Sequence, residues 1–372
     1  MAIRKRILPS GSIAWQCDYR DSGGKRRSAQ FAKKSEADAF LTKVKHEMGQ
    51  GTHVARSASM TFGEAAKKWI AKADADGLER TTVTRYKQTY NLHVAPAFSG
   101  MKLSSITPPQ IQRHIDDLAG TMSASSLKKV RNCFTQVFGY AVKRGLAGHN
   151  PATAIEIPDQ RRKESEPVEM PTKAEIRAII DAAPDKWKVF LRVAVLTGMR
   201  ASELRGLRWQ NVDLDRGVIH VAERVDRYGQ FGPPKTKAGR RDIPMSAGMV
   251  ALLEALPRTG ELVFPNEAGG TIDHQNILNR VFGPAQLDAG VAIDTGEKDE
   301  KGNPILKPKF GLHALRHAAA ALFIEQGLQP KRIQTILGHS SIQMTYDLYG
   351  YLFEKAEADR EAMGAIESGL FG

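Results

Sequence analysis

Apolar positions along this chain change their period several times, and each change predicts a different element. Residues 3–8, 12–20 and 26–31 read as three short strands, with Asp21-Ser22-Gly23-Gly24 supplying the turn between the second and third. A helix is predicted from about 36 to 49, with Ser35 as N-cap and Asp38 three residues on. Past a linker around 50–59, Thr61-Phe62-Gly63-Glu64 is a capping-box signature that opens a helix over 62–74. Further helices are expected at about 80–94, 108–119 and 123–144. In the last of these Leu127, Val130, Phe134, Val137, Phe138 and Ala141 keep one face apolar, while Lys128, Lys129, Arg131, Lys143 and Arg144 occupy the other.

Prolines 158, 167 and 171 then punctuate a basic stretch holding Arg161, Arg162 and Lys163, so 154–171 reads as an extended linker. Thr172 and Glu175 form another capping box. Beyond it helices alternate with a small sheet at about 211–245, and helices return from 247. The polar, turn-rich segment Asp288–Lys309 reads as a surface loop or hairpin. From Leu352 onward Phe353, Ala356, Met363, Ile366 and Leu370 give a narrow apolar stripe, interrupted by Asp359 and Arg360. The chain thus divides into 1–55, 59–153, a linker at 154–171, and 172–372. The fold class is multidomain and mainly α with small β-sheets: a three-stranded sheet plus helix, an all-helical domain, and a mixed α+β domain.

Composition changes this picture in one direction. Across 372 residues, 54 Lys+Arg stand against 41 Asp+Glu, a net charge of +13 that points to a polyanionic partner such as nucleic acid. No apolar run approaches the ~18–20 residues of a membrane span. The two cysteines, Cys17 and Cys133, are far apart and support neither a disulfide framework nor a zinc cluster. The N-terminus MAIRKRILPSG lacks the apolar core of a secretory signal, and a reducing, cytoplasmic location is expected.

The last 175 residues or so carry the chemistry: Arg200, Lys235, HALRH at 313–317, LGHSS at 337–341 and Tyr349. Cations, imidazoles and a phenol suit attack on a phosphodiester. Arginines can hold the non-bridging oxygens with paired hydrogen bonds, a lysine can protonate the leaving 5′ oxygen, and a tyrosine can attack once its proton has somewhere to go. Each group has a plainer reading. Arg200 could be a helix-surface residue paired with Glu203 at i,i+3, and the basic run Lys235–Arg241 a solvated hairpin. His339 could serve a helix cap beside Gly338. His313 and His317, at i,i+4, have the spacing of a metal pair. However, no Glu lies between them and Arg316 would set a fixed cation beside the ion, so no metal is expected.

Taken together, TGMRASELRGLRW at 197–209, PKTKAGRRDIP at 234–244, HALRH, and LGHSSIQMTYDLYGYL at 337–352 resemble the arginine, β-hairpin lysine, His-x-x-Arg and His…Tyr boxes of the tyrosine recombinases, the phage-integrase family. Their order and spacing fit. The resemblance implies that Arg200 and Arg316 hold the scissile phosphate, that Lys235 protonates the departing 5′ hydroxyl (with Lys237 as fallback), and that His313 helps move the tyrosine proton. His339 would hydrogen-bond the phosphate, Glu203 would buttress the site, and His317 would cap or pack beside it. Tyr349, ten residues after His339 in a Tyr-Gly context, is the implied nucleophile rather than Tyr346, which follows by seven.

Upstream, Arg4, Lys5, Arg6, Arg20, Lys25, Arg26 and Arg27, with Trp15 and Tyr19 interleaved, resemble the arm-binding domain of phage-type integrases. Lys128, Lys129 and Arg131, and then Arg161, Arg162 and Lys163, are expected to touch DNA from the helical domain and the linker. The implied activity is site-specific recombination through a 3′-phosphotyrosine and a Holliday junction, on double-stranded attachment-site DNA, by a homo-tetramer needing no cofactor. An excisionase and a host DNA-bending protein are further candidate partners. The C-terminal tail would pack either on a neighbouring protomer or on its own domain. A relaxing, type IB-like topoisomerase would have no use for a second DNA-addressing domain, and a noncatalytic DNA-binding regulator would lack a member of the catalytic set.

Overall fold

A computed structural model describes the chain except for residues 22, 52, 56–57, 159–168 and 354–372. Arg161, Arg162 and Lys163, and most of the apolar stripe after Leu352, lie outside the described residues. The chain divides into two compact units, Met1–Arg162 and Lys163–Gly372. Among the described residues no helix is long and apolar enough to cross a membrane.

The first unit begins with β1 (Ala2–Ile7), β2 (Ile13–Arg20) and β3 (Arg26–Phe31), an antiparallel sheet with β2 in the middle, followed by α1 (Lys34–Gly49). Ser35 is not the N-cap. The helix starts one residue before it, and Lys33 holds the cap position with no side-chain bond. Register then sorts the basic residues. Side chains alternate across a sheet, and Arg4, Gln16 and Gln30 stand opposite one another, as do Arg20 and Arg26. That row and Arg6 belong to one face; Lys5, Trp15, Cys17, Tyr19 and Arg27 belong to the other, on which α1 packs.

This corrects the reading of Tyr19 as a DNA contact. It is 6% exposed, packs its ring edge on Phe40, and places its hydroxyl 3.2 Å from His53 Nε2, while His53 Nδ1 lies 2.9 Å from Glu47 Oε2. Burial pushes the Tyr19 phenol pKa up. Trp15 is half-buried with the Lys34 ammonium 5.7 Å from its ring, and Arg27 is held at 2.8 Å by Asp21. Arg4, Lys5, Arg6, Arg20, Lys25 and Arg26 remain exposed.

The rest of the unit is helical: α2 (Phe62–Ala75), α3 (Arg80–Thr89), α4 (Ala95–Phe98), α5 (Pro108–Ala119) and α6 (Ala124–Lys143). The capping box at Thr61 and Glu64 forms as the sequence predicts. A wide turn over Tyr90–Val94 carries α3 into α4, so the helical path runs past the expected end at 94. Phe62, Phe98, Phe134 and Phe138 meet at the centre of the core, with ring centroids 4.9–6.5 Å apart among the contacting pairs. The apolar stripe of α6 is buried there, which leaves Lys128 and Lys129 exposed and Arg131 half-buried.

The second unit opens with α7 (Lys173–Ala182), started by the capping box of Thr172 and Glu175, then α8 (Asp185–Thr197) and α9 (Ala201–Arg205). Strands β4 (Val212–Asp213) and β5 (Val218–Val221) pair first, and a small hairpin of β6 (Arg224–Val225) and β7 (Phe231–Gly232) follows. β8 (Arg241–Pro244) then returns beside β5 to complete a sheet ordered β4-β5-β8. After α10 (Ala247–Glu254), α11 (His274–Ile277) and α12 (Gly283–Asp288), the turn-rich segment forms a hairpin of β9 (Ala292–Lys298) and β10 (Pro304–Pro308). The chain closes with α13 (His313–Glu325), α14 (Pro330–Leu337) and α15 (Ile342–Tyr349). Its core draws on α7 to α9, the central sheet and α13, and a small satellite cluster joins α13, α14 and Tyr349.

Candidate active site

Two helices end in the same way and thereby fix two arginines. α8 ends at Gly198 with φ +60°, and α14 at Gly338 with φ +67°, the left-handed conformation that favours glycine at a helix C-terminus. A Cβ at Gly198 would come within 2.6 Å of Leu337 Cδ2, and one at Gly338 within 2.8 Å of the Ala238 carbonyl oxygen, so neither position has room for a side chain. The terminal carbonyls carry the negative end of the helix dipole. Arg316 donates to Gly198 O at 2.7 Å and Leu337 O at 2.6 Å, and Arg200 donates to Gly338 O at 3.1 Å. Each guanidinium has five N–H donors in a rigid fork, so donors remain for an oxyanion after these anchors are made.

Glu203 joins the arginines from below. It is 2% exposed and accepts from the Arg200 backbone N–H at 2.9 Å, from Arg200 Nη1 at 2.9 Å, and from Arg241 Nη2 at 2.8 Å. Burial pushes its carboxyl pKa up, but the Arg241 hydrogen bond and the charges of Arg241 and Arg200 outweigh this and hold it below the usual carboxylate range. Arg241, absent from the expected site, donates also to Ile336 O at 2.5 Å and Gly239 O at 2.9 Å. A signal for it existed: in β8 the alternation that buries Ile243 buries Arg241 as well. Arg316, 3% exposed, has its pKa pulled down to about 9 by desolvation and then by the charge of Arg200, and stays a cation at neutral pH.

The imidazoles and the phenol gather around the same turn. Tyr349, last residue of α15, is 1% exposed, and its ring packs among Ala320, Ile324, Ile333 and Leu337. Its hydroxyl lies 2.7 Å from His317 Nδ1. Desolvation raises its pKa to about 12, partly opposed by Arg316. His339 stacks on the Tyr349 ring with centroids 6.4 Å apart, and its Nδ1 lies 2.9 Å from the Thr345 hydroxyl, a buried partner that the sequence did not announce. His313 meets His317 edge to face at 4.8 Å. The pKa values of His313 and His339 are both lowered to about 4, first by desolvation and then by neighbouring groups, His317 followed by Arg316 for His313 and Arg316 for His339, so both rings are neutral at pH 7. The expected division of labour shifts here: the histidine touching the phenol is His317, which was read as a packing residue, rather than His313.

Lys235 is exposed on the segment between β7 and β8, just before the turn at Lys237–Gly239 whose Ala238 carbonyl lies against Gly338. That packing ties the lysine segment to the arginine and histidine boxes. Tyr346 is 46% exposed, with its ring against Phe353 at 5.9 Å, whereas Tyr349 is 1% exposed. Among the described residues no group of three or more His, Cys, Asp or Glu side chains is placed to hold a metal ion. The arrangement presents two anchored guanidiniums, neutral imidazoles and a buried phenol, a set suited to binding a phosphate and attacking it.

Comparison with known proteins places the family. The phage integrase family matches residues 170–355, and the phage integrase central domain matches 62–157. A tyrosine recombinase XerC-like protein of Caldanaerobacter subterraneus subsp. tengcongensis is 26% identical over 377 residues, covering 91% of this chain and 92% of its own. The ICEBs1 integrase of Bacillus subtilis is 28% identical over 340 residues, covering 88% and 89%. Among solved structures, the Tn1549 transposon integrase in complex with transposon right end DNA superposes with a TM-score of 0.66 at 19% identity, over 82% of this chain and 99% of the other. A lambda integrase tetramer bound to a Holliday junction gives 0.59 at 18% identity, over 91% and 95%.

Proposed function

Since the chain belongs to the phage integrase family and acts as a tyrosine-type site-specific DNA recombinase, we propose that Tyr349 is its nucleophile and that Arg200 and Arg316 bind the scissile phosphate. The observation that carries this reading is the convergence of both guanidiniums, His339 and Tyr349 on the C-terminal turns of α8 and α14. Attack by the phenol oxygen on phosphorus forms a DNA 3′-phosphotyrosine and releases the 5′ oxygen, which Lys235 protonates. The two arginines stabilise the charge gathering on the non-bridging oxygens. We assign Thr345 as the donor in its 2.9 Å contact with His339 Nδ1, which leaves the His339 proton on Nε2 to be offered to a phosphate oxygen. Glu203 and Arg241 hold Arg200 in place. The linkage conserves the phosphodiester energy, so a 5′ hydroxyl from a second duplex can reverse it without ATP.

The substrate is double-stranded attachment-site DNA, exchanged two strands at a time through a Holliday junction in a homo-tetramer. The open face of the N-terminal sheet, with Arg4, Arg6, Arg20 and Arg26 beside Gln16 and Gln30, is the part that addresses a second DNA site, since arginine and glutamine reach base edges in a major groove. Lys128, Lys129 and Arg131 bind backbone from the helical region. A cytoplasmic location and assistance from an excisionase and a host DNA-bending protein complete the proposal. This second DNA-addressing element favours recombination over relaxation by a type IB-like topoisomerase, and a complete catalytic set disfavours a noncatalytic regulator.

The test is a trapping assay with chelator and no ATP, using nicked duplexes tiled across the DNA that flanks the chain's own gene. A covalent adduct mapping to Tyr349 is expected, lost in Tyr349→Phe and retained in Tyr346→Phe. An adduct that survives Tyr349→Phe and vanishes in Tyr346→Phe would overturn the assignment.

A further inference from the structure

A phenol that attacks phosphorus must lose its proton in the same event, and the group best placed to take it is the one already in contact with the hydroxyl. That group is His317, whose Nδ1 lies 2.7 Å from the Tyr349 oxygen. His339 stacks on the ring but is bonded through its Nδ1 to Thr345, and His313 meets His317 rather than the phenol. His317 is held on the second turn of α13, one residue after Arg316, with its ring 5.8 Å from the tyrosine ring. The charged and titratable groups that face it are Arg316 and His313 from its own helix and Tyr349 from α15.

We propose that His317 is the base that accepts the Tyr349 proton during strand cleavage and returns it during rejoining, a role that rests on Tyr349 being the nucleophile. The phenol O–H bond breaks and its proton passes to Nδ1, giving an imidazolium. The phenol oxygen then bonds to phosphorus, the bond from phosphorus to the 5′ oxygen breaks, and that oxygen takes its proton from Lys235. Rejoining runs the same transfers backwards. Arg316 gives the device its dependence on substrate. Burial of the ring, and then the Arg316 charge, lower the His317 pKa and disfavour the imidazolium. A phosphate dianion-like transition state seated on Arg316 offsets that repulsion, so the proton moves more readily with DNA in place than without it.

Two measurements on the full chain test this. In the first, 15N-histidine NMR at pH 7 is expected to show His317 neutral with its proton on Nε2 and Nδ1 bare; a proton found on Nδ1, which would make the imidazole a donor to the phenol oxygen, overturns the proposal. In the second, single-turnover cleavage of the nicked duplexes is followed in His317→Asn, whose side-chain oxygen can occupy the Nδ1 position and accept the hydrogen bond but cannot take the proton. Cleavage is expected to slow by about 100-fold or more, the usual span for loss of a general base, and to recover as pH rises toward ionisation of the phenol. A bridging 5′-phosphorothiolate, whose leaving group needs no acid, should rescue Lys235→Ala and leave His317→Asn slow. Near wild-type cleavage by His317→Asn with an unchanged pH profile overturns the role, leaving His317 a packing residue. Absence of any Tyr349 adduct in the wild-type chain would instead remove the nucleophile assignment on which the inference stands.

Discussion

Replacing Glu203 by Gln should loosen the second unit far more than the loss of one surface ion pair. Glu203 and Arg241 are each 2% exposed along their side chains and meet at 2.8 Å. At that distance their attraction is about 6 kcal/mol for an effective dielectric of about 20. Much of it is offset by the desolvation of both groups, and the loss expected on removing one partner of a buried pair is about 3–5 kcal/mol. Geometry adds to the cost. The carboxylate accepts three hydrogen bonds, two on Oε2 and one on Oε1, so in either orientation the glutamine NH2 faces an N–H donor. By contrast, Lys173 and Glu325 form an exposed pair, each 51% accessible, and breaking it should cost less than about 1 kcal/mol.

Hydrogen exchange of the full chain, read by mass spectrometry on peptides from α8 and α9, gives the local opening free energy, with peptides from α6 as an internal reference. A Glu203→Gln/Arg241→Met cycle isolates the pair, because the double variant removes both charges and should cost much less than the two singles summed. A Glu203→Gln loss no larger than that of Glu325→Gln, or strict additivity in the cycle, would refute the view that Glu203 is a buried counter-charge for the arginines.

Gly338→Ala should destabilise the same region by at least the ~1–2 kcal/mol of a left-handed residue with a Cβ. Because its Cβ would also meet the Ala238 carbonyl, exchange is expected to rise in the 235–241 segment as well as in α14; protection unchanged in 235–241 would show that this packing is dispensable. Acid should act in two steps. A buried histidine whose folded pKa is depressed contributes stability that is full above its unfolded pKa of ~6.5 and lost as pH falls toward the folded value. For His339, lowered to about 4, this is about 3 kcal/mol lost between pH ~6.5 and ~4. Glu203, depressed instead from 4.5, keeps its contribution above that pH and loses it only below, as the pH falls through its folded value. Urea unfolding at intervals from pH 7.5 to 3.5 should show the first loss reduced by that amount in His339→Phe, the remainder coming from His313, whose pKa is lowered in the same way, and the second loss persisting.

What could be read from the sequence was what depends on neighbours in sequence. The capping boxes at Thr61 and Thr172 formed as expected because all their partners lie within four residues. Ser35 failed as a cap for a related reason: the first turn of α1 could begin at any of several adjacent polar residues, and packing of Ala37 and Val44 against the sheet chose the register. The same packing decided which face of the sheet α1 would cover, and so turned Tyr19 and Arg27 inward while Arg20 and Arg26 stayed out. Strand period alone gives two equivalent faces and cannot choose between them. The alternation of β8 signals that Arg241 is buried but not what it pairs with, since Glu203 lies 38 residues away and neither position announces the other.

The site boxes show why such residues travel as a set. Two of them, 197–209 and 337–352, each pair a residue that would touch the phosphate, Arg200 or His339, with a glycine that ends a helix, but each glycine holds an arginine of a different box. Gly198, two residues before Arg200, presents its carbonyl to Arg316, 118 residues away, and Gly338, next to His339, presents its carbonyl to Arg200, 138 residues away. A helix end can hold a guanidinium only if the chain leaves in the left-handed turn that exposes its last carbonyls, which is the conformation glycine permits. Changing Gly198 therefore disturbs Arg316 of the HALRH box, and changing Gly338 disturbs Arg200 of the first. Read one box at a time, these glycines are ordinary helix caps; folded together, they are the mounts on which the proposed phosphate-binding pair, Arg200 and Arg316, is set to a fixed separation before any DNA arrives.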